Sequence, residues 1–303
     1  MDQKQKLDMA NGATGPALPQ PAVRFRPAGV EEDDVLSRIL CNAFLPIWDH
    51  NWFQGVSAPL EPVVVNVNVT VSNNGNGKPS SGSMSRQQKS RVRFYWSLIK
   101  LTRLLGGEVL VAEVPAARAA GKTETETEAE TDIGAILLWL PPSKRLGALD
   151  VGTLWKSGFF SLMLPWNYGL GGLYRIEMVS EANVRSMFAR TLKDACGFAD
   201  RDCGFVRMVA SNPKYAGQGY GSKLLQHQIE RHFARFAHTP VILDTSTSQA
   251  VRAYQRLGFT LLAEVPVDTG TDARGIPLTK SASEEVRRQA RETCVERVMV
   301  RLP

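Results

Sequence analysis

The stretch Val206-Arg-Met-Val-Ala-Ser-Asn-Pro-Lys-Tyr-Ala-Gly-Gln-Gly-Tyr-Gly-Ser-Lys-Leu-Leu225 decides the fold. Residues 205–210 are largely apolar and β-branched, which predicts a half-buried strand, and Asn212-Pro213 ends it. The glycines that follow tolerate positive φ and let backbone N–H groups approach a ligand closely. Apolar residues then recur every three or four positions, as on one face of a helix: Leu224, Leu225, Ile229, His232, Phe233 and Phe236.

This strand, turn and helix together predict an anion-binding site. The amides of a helix's first turn have no partner within the helix, and the helix dipole places partial positive charge there. No aspartate or glutamate lies between Ser211 and Gln228 to oppose that charge. A phosphate-bearing ligand suits the turn, and a tight structural connection without a ligand is the alternative interpretation. The glycine spacing excludes the dinucleotide fingerprint, and the absence of a Gly-Lys-Ser/Thr ending excludes a nucleoside-triphosphate loop.

A second stretch lies one helix further along the chain. Val241-Ile-Leu-Asp-Thr245 predicts another buried strand. It is followed by Ser248-Gln-Ala-Val-Arg-Ala-Tyr-Gln-Arg-Leu-Gly-Phe259, a short helix that Gly258 ends as its C-cap.

The two stretches together resemble the GNAT acyltransferase superfamily. Residues 216–221, after an x-Pro-x-Tyr turn, are similar to its acyl-CoA loop, whose pattern is Arg/Gln-x-x-Gly-x-Gly/Ala. The helix ending Tyr254-Gln-Arg-Leu-Gly-Phe259 is similar to the motif that follows the loop in the superfamily. The resemblance implies an α/β (α+β) fold: a single domain with a mixed, mostly antiparallel twisted sheet flanked by helices. It covers residues 206–259 well and the flanks only by the order of strands and helices.

The resemblance also implies a set of site residues, with acetyl-CoA as co-substrate and no metal. In the superfamily the strand before the loop pairs with the pantetheine arm, and a main-chain N–H near Val209 polarises the thioester carbonyl. Tyr254 matches the tyrosine that protonates the leaving thiolate, and a packed aromatic without a catalytic role is the alternative. The cofactor-binding positions that the resemblance implies are Val209, Ala210, Ser211, Ala216, Gly217, Gln218, Gly219, Tyr220, Gly221 and Ser222.

The chain departs from the family pattern at two places. Ala216 stands where an arginine or glutamine is common, which removes one side-chain contact to the pyrophosphate. Thr247 or Ala250 replaces an asparagine early in the second motif's helix, which puts one contact to pantetheine in doubt.

No clear general base is evident from the sequence. The strand over residues 205–210 contains no carboxylate, and a water relay to solvent would also serve an amine whose pKa is near neutral. The candidates by residue type alone are Asp49, His50, Glu113, Glu177 and Asp202.

Composition limits the class of protein. The chain has 303 residues, 43% of them hydrophobic and 22% charged, as in a soluble globular protein. The net charge of +6 is spread along the chain, so we expect no nucleic-acid partner. Four cysteines without metal-binding spacing predict free thiols, no metal site and a reducing cytoplasmic location. The apolar run from Phe159 to Tyr174 is interrupted by proline and glycines, so we expect no membrane-spanning segment.

The remaining sequence predicts one domain over residues 23–303 after a polar, disordered tail over 1–22. Alternating residues predict strands at 23–27, 108–114, 133–140, 261–267 and 295–302, and periodic residues predict helices from 30, near 180–195 and over 84–105. In that last helix the residues expected to face inward are Val92, Tyr95, Trp96, Ile99 and Leu104. Residues 59–71 predict a strand or a linker, and 72–83 and the acidic run 122–130 predict flexible loops.

An insertion over residues 141–202 precedes the CoA core, which we place at about 203–260. Its apolar run is interpreted as extra core and a lid over the acceptor, with a membrane-surface patch as the alternative. The sequence therefore predicts a small-molecule amine N-acetyltransferase that uses acetyl-CoA. The alternatives are a protein lysine or N-terminal acetyltransferase and a non-catalytic acyl-CoA-binding module.

Overall fold

The computed structural model describes residues 23–65, 84–116, 131–147 and 150–303. These residues form a seven-stranded sheet in the order β1-β2-β3-β4-β5-β7-β6. Neighbouring strands are antiparallel except β4 and β5, which are parallel. The predicted mixed, mostly antiparallel sheet is confirmed. The strands are β1 Arg24–Pro27, β2 Glu108–Pro115, β3 Thr131–Leu140, β4 Gly204–Ser211, β5 Val241–Thr245, β6 Thr260–Pro266 and β7 Val295–Arg301.

Helices cover both faces of this sheet. Those described are α1 Asp33–Ala43, α2 Trp48–Gln54, α3 Arg86–Leu104, α4 Val151–Ser157, α5 Gly169–Leu173, α6 Glu181–Cys196, α7 Tyr220–Arg235, α8 Ser248–Arg256 and α9 Glu284–Thr293. A π-helical segment, Tyr174–Ser180, joins α5 to α6. No helix among the described residues is long and apolar enough to cross a membrane.

Successive side chains of each strand point to opposite faces of the sheet, and each face packs against its own helices. On one face, Leu224 and Leu225 of α7 and Val251 of α8 pack with Val206 and Leu243 of the sheet. On the other face, α1, α2 and α3 pack over one half of the sheet. Helix α6 packs over the other half, where it meets β5, β6 and β7. The two faces of β4 and β5 therefore meet different sets of helices.

The predicted insertion is helical and contributes to the core. Phe159, Leu162 and Tyr168 are buried with α3, and Met187 and Phe188 of α6 are buried against the sheet. Other apolar residues of the same segment stay exposed, so only part of its hydrophobic surface is used inside the domain. The exposed ones are Leu146, Val151, Trp155, Met163, Leu164, Trp166, Leu170, Tyr174 and Met178.

One sequence prediction needs correction. Leu104, expected to face inward, is the last residue of α3 and is 43% exposed. For residues 59–71 the sequence predicts a strand or a linker, and the described part, 59–65, contains no strand, as the linker alternative expects. The predicted tail over 1–22, the loop over 72–83 and the acidic run over 122–130 lie outside the described residues.

A buried arginine joins α3 to α2. Arg91 is completely buried, although its helix is otherwise basic on the solvent side. Its guanidinium donates to Gln54 Oε1 at 2.8 Å, to Asn51 Oδ1 at 2.9 Å and to the carbonyl of His50 at 3.0 Å. All three acceptors lie on α2, and none is a carboxylate. A guanidinium is suited to joining several acceptors because its N–H donors lie in one plane on three nitrogens. Here each of the three nitrogens donates one hydrogen bond to α2.

Replacing Arg91 with alanine should lower the free energy of unfolding by about 3 kcal/mol, because buried acceptors lose hydrogen bonds to a charged donor. Urea denaturation measures this loss. The control is Arg93→Ala, two residues along the same helix, where the side chain is exposed and donates to Ser161 Oγ. That change should cost less than about 1 kcal/mol. Equal losses in the two variants would contradict the role given to Arg91.

Candidate active site

Strands β4 and β5 separate part-way along the sheet. They pair at Gly204 with Val241, at Phe205 with Ile242 and at Val206 with Leu243, and no pair follows. Strand β4 stays paired with β3 up to Ser211, and β5 stays paired with β7 up to Thr245. Each strand follows its outer neighbour, so a cleft opens between them.

A β-bulge marks the point where the strands part. On β3, Leu138 faces Met208 and the next residue, Trp139, faces Val206, which leaves Arg207 as the extra residue of β4. Bulges bend the strand and increase its local twist. From Arg207 to Ser211 the edge of β4 that faces β5 has no strand partner among the described residues. An extended ligand can therefore bind there by main-chain hydrogen bonds.

The glycine-rich turn lies at the open end of the cleft. The amides of residues 217, 219, 220 and 222 have no acceptor among the described residues, and the amide of Gly221 donates to Ser211 Oγ at 3.3 Å. Gly219 caps α7 with φ +74°, a backbone conformation that suits glycine. A Cβ on Gly221 would lie 2.8 Å from Ser211 Oγ, so a larger residue would displace this hydroxyl from the Gly221 amide. These donors lie at the N-terminus of a 16-residue helix, where the helix dipole favours an anion.

The turn before the glycines is fixed to β3. Asp132, almost completely buried, accepts from Lys214 Nζ at 2.7 Å and from the Tyr215 hydroxyl at 2.8 Å. The Asn212 side-chain amide donates to the carbonyl of Ile133, and its oxygen accepts from the amide of Lys214. Because these contacts anchor both sides of the turn, the glycine amides are held in place beside the cleft.

The predicted site residues fall around this cleft. Val209, Tyr220 and Tyr254 pack against one hydrophobic cluster, which brings β4, the turn and α8 together. Residues 216–219 are exposed, whereas Ala210 and Gly221 are buried. The Tyr254 ring lies edge-on to Phe259 at 5.8 Å. Burial and then the nearby charge of Asp244 raise the pKa of the Tyr254 hydroxyl, so it stays protonated near neutral pH.

Charged groups line the opposite face of the cleft. Arg207 donates to Glu181 Oε1 at 2.7 Å, which ties the bulge of β4 to the first residue of α6. Asp244 lies one residue past the last β4–β5 pair and is open to solvent. Although burial works against its charged form, Arg207 holds the pKa of Glu181 below its ordinary value. Desolvation by the neighbouring protein is the largest effect on Asp244, and its pKa is raised to about 6.

A family comparison covers the cleft. Residues 172–259 match the model of the acetyltransferase (GNAT) family. This segment, less than a third of the chain, is a GNAT acetyltransferase segment. The match includes the cleft strands β4 and β5, the glycine turn and α8, and it begins inside the insertion.

Several solved structures are similar to this chain at low identity. A mosquito arylalkylamine N-acetyltransferase (like 5b) is 15% identical, covers 93% of this chain and 100% of its own, and has a TM-score of 0.47. A Drosophila melanogaster polyamine N-acetyltransferase has 15% identity, coverages of 93% and 100%, and a TM-score of 0.45. An arylalkylamine N-acetyltransferase 7 of the yellow fever mosquito, described as putative, has 12% identity, coverages of 92% and 86%, and a score of 0.49. At this level of similarity none of them informs the substrate of the present chain.

Most base candidates chosen by residue type lie away from the cleft of the GNAT segment. His50 is buried, accepts or donates at Tyr95 through Nδ1 at 2.9 Å, and has its pKa lowered to about 4 by burial. Glu113 bonds with Arg26 and Thr131 on the outer strands. Asp202 precedes β4 at the closed end of the cleft. Asp49 and Glu177 lie on elements next to the cleft, but Asp49 already accepts from the His50 amide at 2.6 Å.

Sequence reasoning missed Arg207, Glu181, Asp244 and Glu296. A signal existed for Asp244, since it is the one carboxylate in an otherwise apolar strand. The Arg207 side chain faces α6 because of the bulge, and no local sequence pattern predicts that bulge.

Thr247, at one of the two departures from the family pattern, caps α8 by accepting from the Ala250 amide at 3.2 Å. The described residues contain no cluster of three or more metal-ligating side chains.

Glu296 is a buried acid behind the cleft of the GNAT segment. It lies on β7, is 4% exposed, and neither carboxylate oxygen has a hydrogen-bond partner within the described part of the chain. Ser180 and Asn183 are close enough to favour its charged form, without meeting hydrogen-bond geometry. Burial is the larger effect and raises the pKa of Glu296 to about 8. The side chain is therefore largely protonated at neutral pH.

Glu296 should make the domain less stable as pH rises. The folded protein keeps a proton that the unfolded chain loses above its ordinary pKa of 4.5, so stability falls between about pH 4.5 and pH 8. Glu296→Gln should raise Tm at pH 8 and change it little at pH 5, which thermal denaturation at both values measures. The control Glu264→Gln, in the exposed pair with Arg297, should show no such dependence. A glutamine variant with the same Tm difference at both pH values would contradict the assignment.

Proposed function

We propose that this protein is an acetyl-CoA-dependent N-acetyltransferase whose acceptor is a small-molecule amine. The observation that carries the proposal is the cleft between β4 and β5 with unpartnered glycine-turn amides at its mouth. One wall offers an unpaired strand edge, and the mouth offers a set of anion donors. Acetyl-CoA has matching parts, an extended arm that ends in a thioester and a diphosphate.

The binding roles follow from the donors available at each point. The amides of residues 217, 219, 220 and 222 would hold the diphosphate, and the β4 edge at residues 209–211 would pair with the pantetheine arm. Ala216, whose side chain offers no donor, fits this scheme because the donors are main-chain groups. The side chains of Gln218 and Lys223 are exposed beside the turn and can add contacts.

The chemistry is a direct transfer without an enzyme-bound intermediate. The acceptor amine attacks the thioester carbonyl, the carbon–sulfur bond breaks, and the thiolate leaves. Tyr254 would give its hydroxyl proton to that thiolate, a role that its protonated state at neutral pH supports. A main-chain N–H near Val209 would stabilise the oxyanion that forms at the carbonyl oxygen.

The acceptor side of the cleft favours a cationic amine. Asp244 and Glu177 are exposed carboxylates there, and Glu181 adds a third beside Arg207. The same carboxylates suit a lysine side chain, so acetylation of protein amines is a second candidate and belongs in any screen. We also place the reaction in the cytosol, because all four cysteines are free thiols.

Acetyl-CoA should stabilise the folded protein by about 2.7 kcal/mol when the free ligand is 100-fold above Kd. This stabilisation should raise Tm. Gly219→Ala should weaken this binding about tenfold, because an alanine at φ +74° costs about 1–2 kcal/mol and shifts the donors. The control is Gly270→Ala, which has φ +64° and open space around it but lies after β6. If acetyl-CoA does not shift Tm at all, the proposed function is wrong.

Tyr254→Phe should lower kcat by about 100-fold or more and leave acetyl-CoA binding intact, because only the proton donor is lost. Turnover is measured as free thiol released from acetyl-CoA with phenethylamine, putrescine or a lysine-containing peptide. A wild-type protein that binds acetyl-CoA but releases thiol with no amine would support the non-catalytic module instead. If Tyr254→Phe kept full activity, Tyr254 would have no part in the mechanism.

A further inference from the structure

We propose that Asp244 is the general base that takes a proton from the acceptor ammonium. This inference rests on the proposed transferase function and names a residue of the same cleft. It fills the role for which sequence reasoning found no clear candidate.

The position of Asp244 follows from strand alternation. Leu243 packs on the α7 face and Ile242 on the α6 face, so Asp244 faces the α6 side. It is also the first residue of β5 beyond the last pair with β4. The carboxylate therefore stands at the point where the cleft opens, on the face opposite the glycine turn and its helix.

The carboxylate of Asp244 is free to accept a proton. It makes no hydrogen bond and no ion pair with any described residue, and solvent reaches it. Three other acids near the cleft are less suited, whereas Glu177, which is also exposed, is the competing candidate. Glu181 is held by Arg207 at 2.7 Å, Asp49 accepts from the amide of His50, and Glu296 is buried and largely protonated at neutral pH.

The groups around Asp244 set its affinity for a proton. Its pKa is raised to about 6, and desolvation is the largest cause; Glu181 on α6 and Asp49 on α2 also raise it, whereas Arg207 on β4 and Arg145 before α4 lower it. Glu296 on β7 and Tyr254 on α8 also feel its charge. A base with a pKa just below working pH is ionised and still basic enough to accept a proton. The Trp48 indole, which donates to the Ser246 carbonyl at 3.0 Å, fixes α2 against the end of β5.

The reaction needs a base for the acceptor and an acid for the leaving thiolate, and these two groups lie on opposite sides of the cleft. Asp244 takes a proton from the acceptor ammonium, directly or through one water, and the neutral amine attacks the thioester carbonyl. The new nitrogen–carbon bond forms as the carbon–sulfur bond breaks, and Tyr254 protonates the thiolate. The second amine proton and the proton on Asp244 pass to solvent, and one of them restores Tyr254. Acceptor and leaving group therefore exchange protons on opposite faces of the sheet.

The test is the pH dependence of kcat/KM for the wild type and Asp244→Asn, with the most active amine of the phenethylamine, putrescine and lysine-peptide panel. The wild type should lose activity below a midpoint near pH 6, separate from the limb due to the amine itself. Asp244→Asn should be slower by about 100-fold or more and should lack the limb near pH 6. Retention of that limb with activity within about threefold of wild type would overturn the assignment.

Two further variants keep the test decisive. Glu181→Gln removes a charge that raises the pKa of Asp244, so the midpoint should move to lower pH; an unchanged midpoint would count against Asp244. Asp202→Asn, at the closed end of the cleft, is the matched control and should leave the profile unchanged. Acetyl-CoA thermal shifts for each variant show whether it folds and binds. A wild type without acetyl-CoA binding or thiol release defeats the proposed function, whereas turnover that ignores Asp244 defeats only this inference.

Discussion

The structure depends on a competition between strand partners. β4 follows β3 and β5 follows β7, so the two central strands stay paired for only three residues, from Gly204 to Val206 on β4. Unpaired backbone groups cost free energy unless water or a ligand satisfies them. In this sheet that cost falls on the edge of β4 beyond Val206, where a ligand can supply the missing hydrogen bonds. The extra residue at Arg207 sits where the strands part.

The elements around the cleft serve to hold it open and in register. On one face, Asp132 fixes the turn before the glycines through Lys214 and Tyr215, so the N-terminus of α7 cannot drift. On the other face, the pair between Arg207 and Glu181 joins β4 to the insertion. The insertion thus adds more than apolar surface, because its helix α6 places a charged residue, Glu181, beside the cleft. Its exposed tryptophans and leucines take no part in core packing.

Much of this architecture was predictable because it rests on local chemistry. The glycine turn, the strand before it and the capped helix of residues 248–256 are set by backbone conformation and hydrophobic period. What local patterns could not give was side-chain placement that depends on distant elements. Arg91 is buried because α2 supplies three acceptors, and Arg207 faces α6 because of a bulge set by β3. Asp244 was visible as a charge in an apolar strand, yet its exposure depends on where β4 leaves β5.

The central claim is that the β4 edge and the glycine turn together bind acyl-CoA through main-chain donors. Hydrogen–deuterium exchange with and without acetyl-CoA, at short labelling times, tests it most directly because it reads those amides themselves. The account predicts new protection over residues 207–211 and 217–222. Protection confined to other segments, with these amides exchanging as fast as in the free protein, would contradict it.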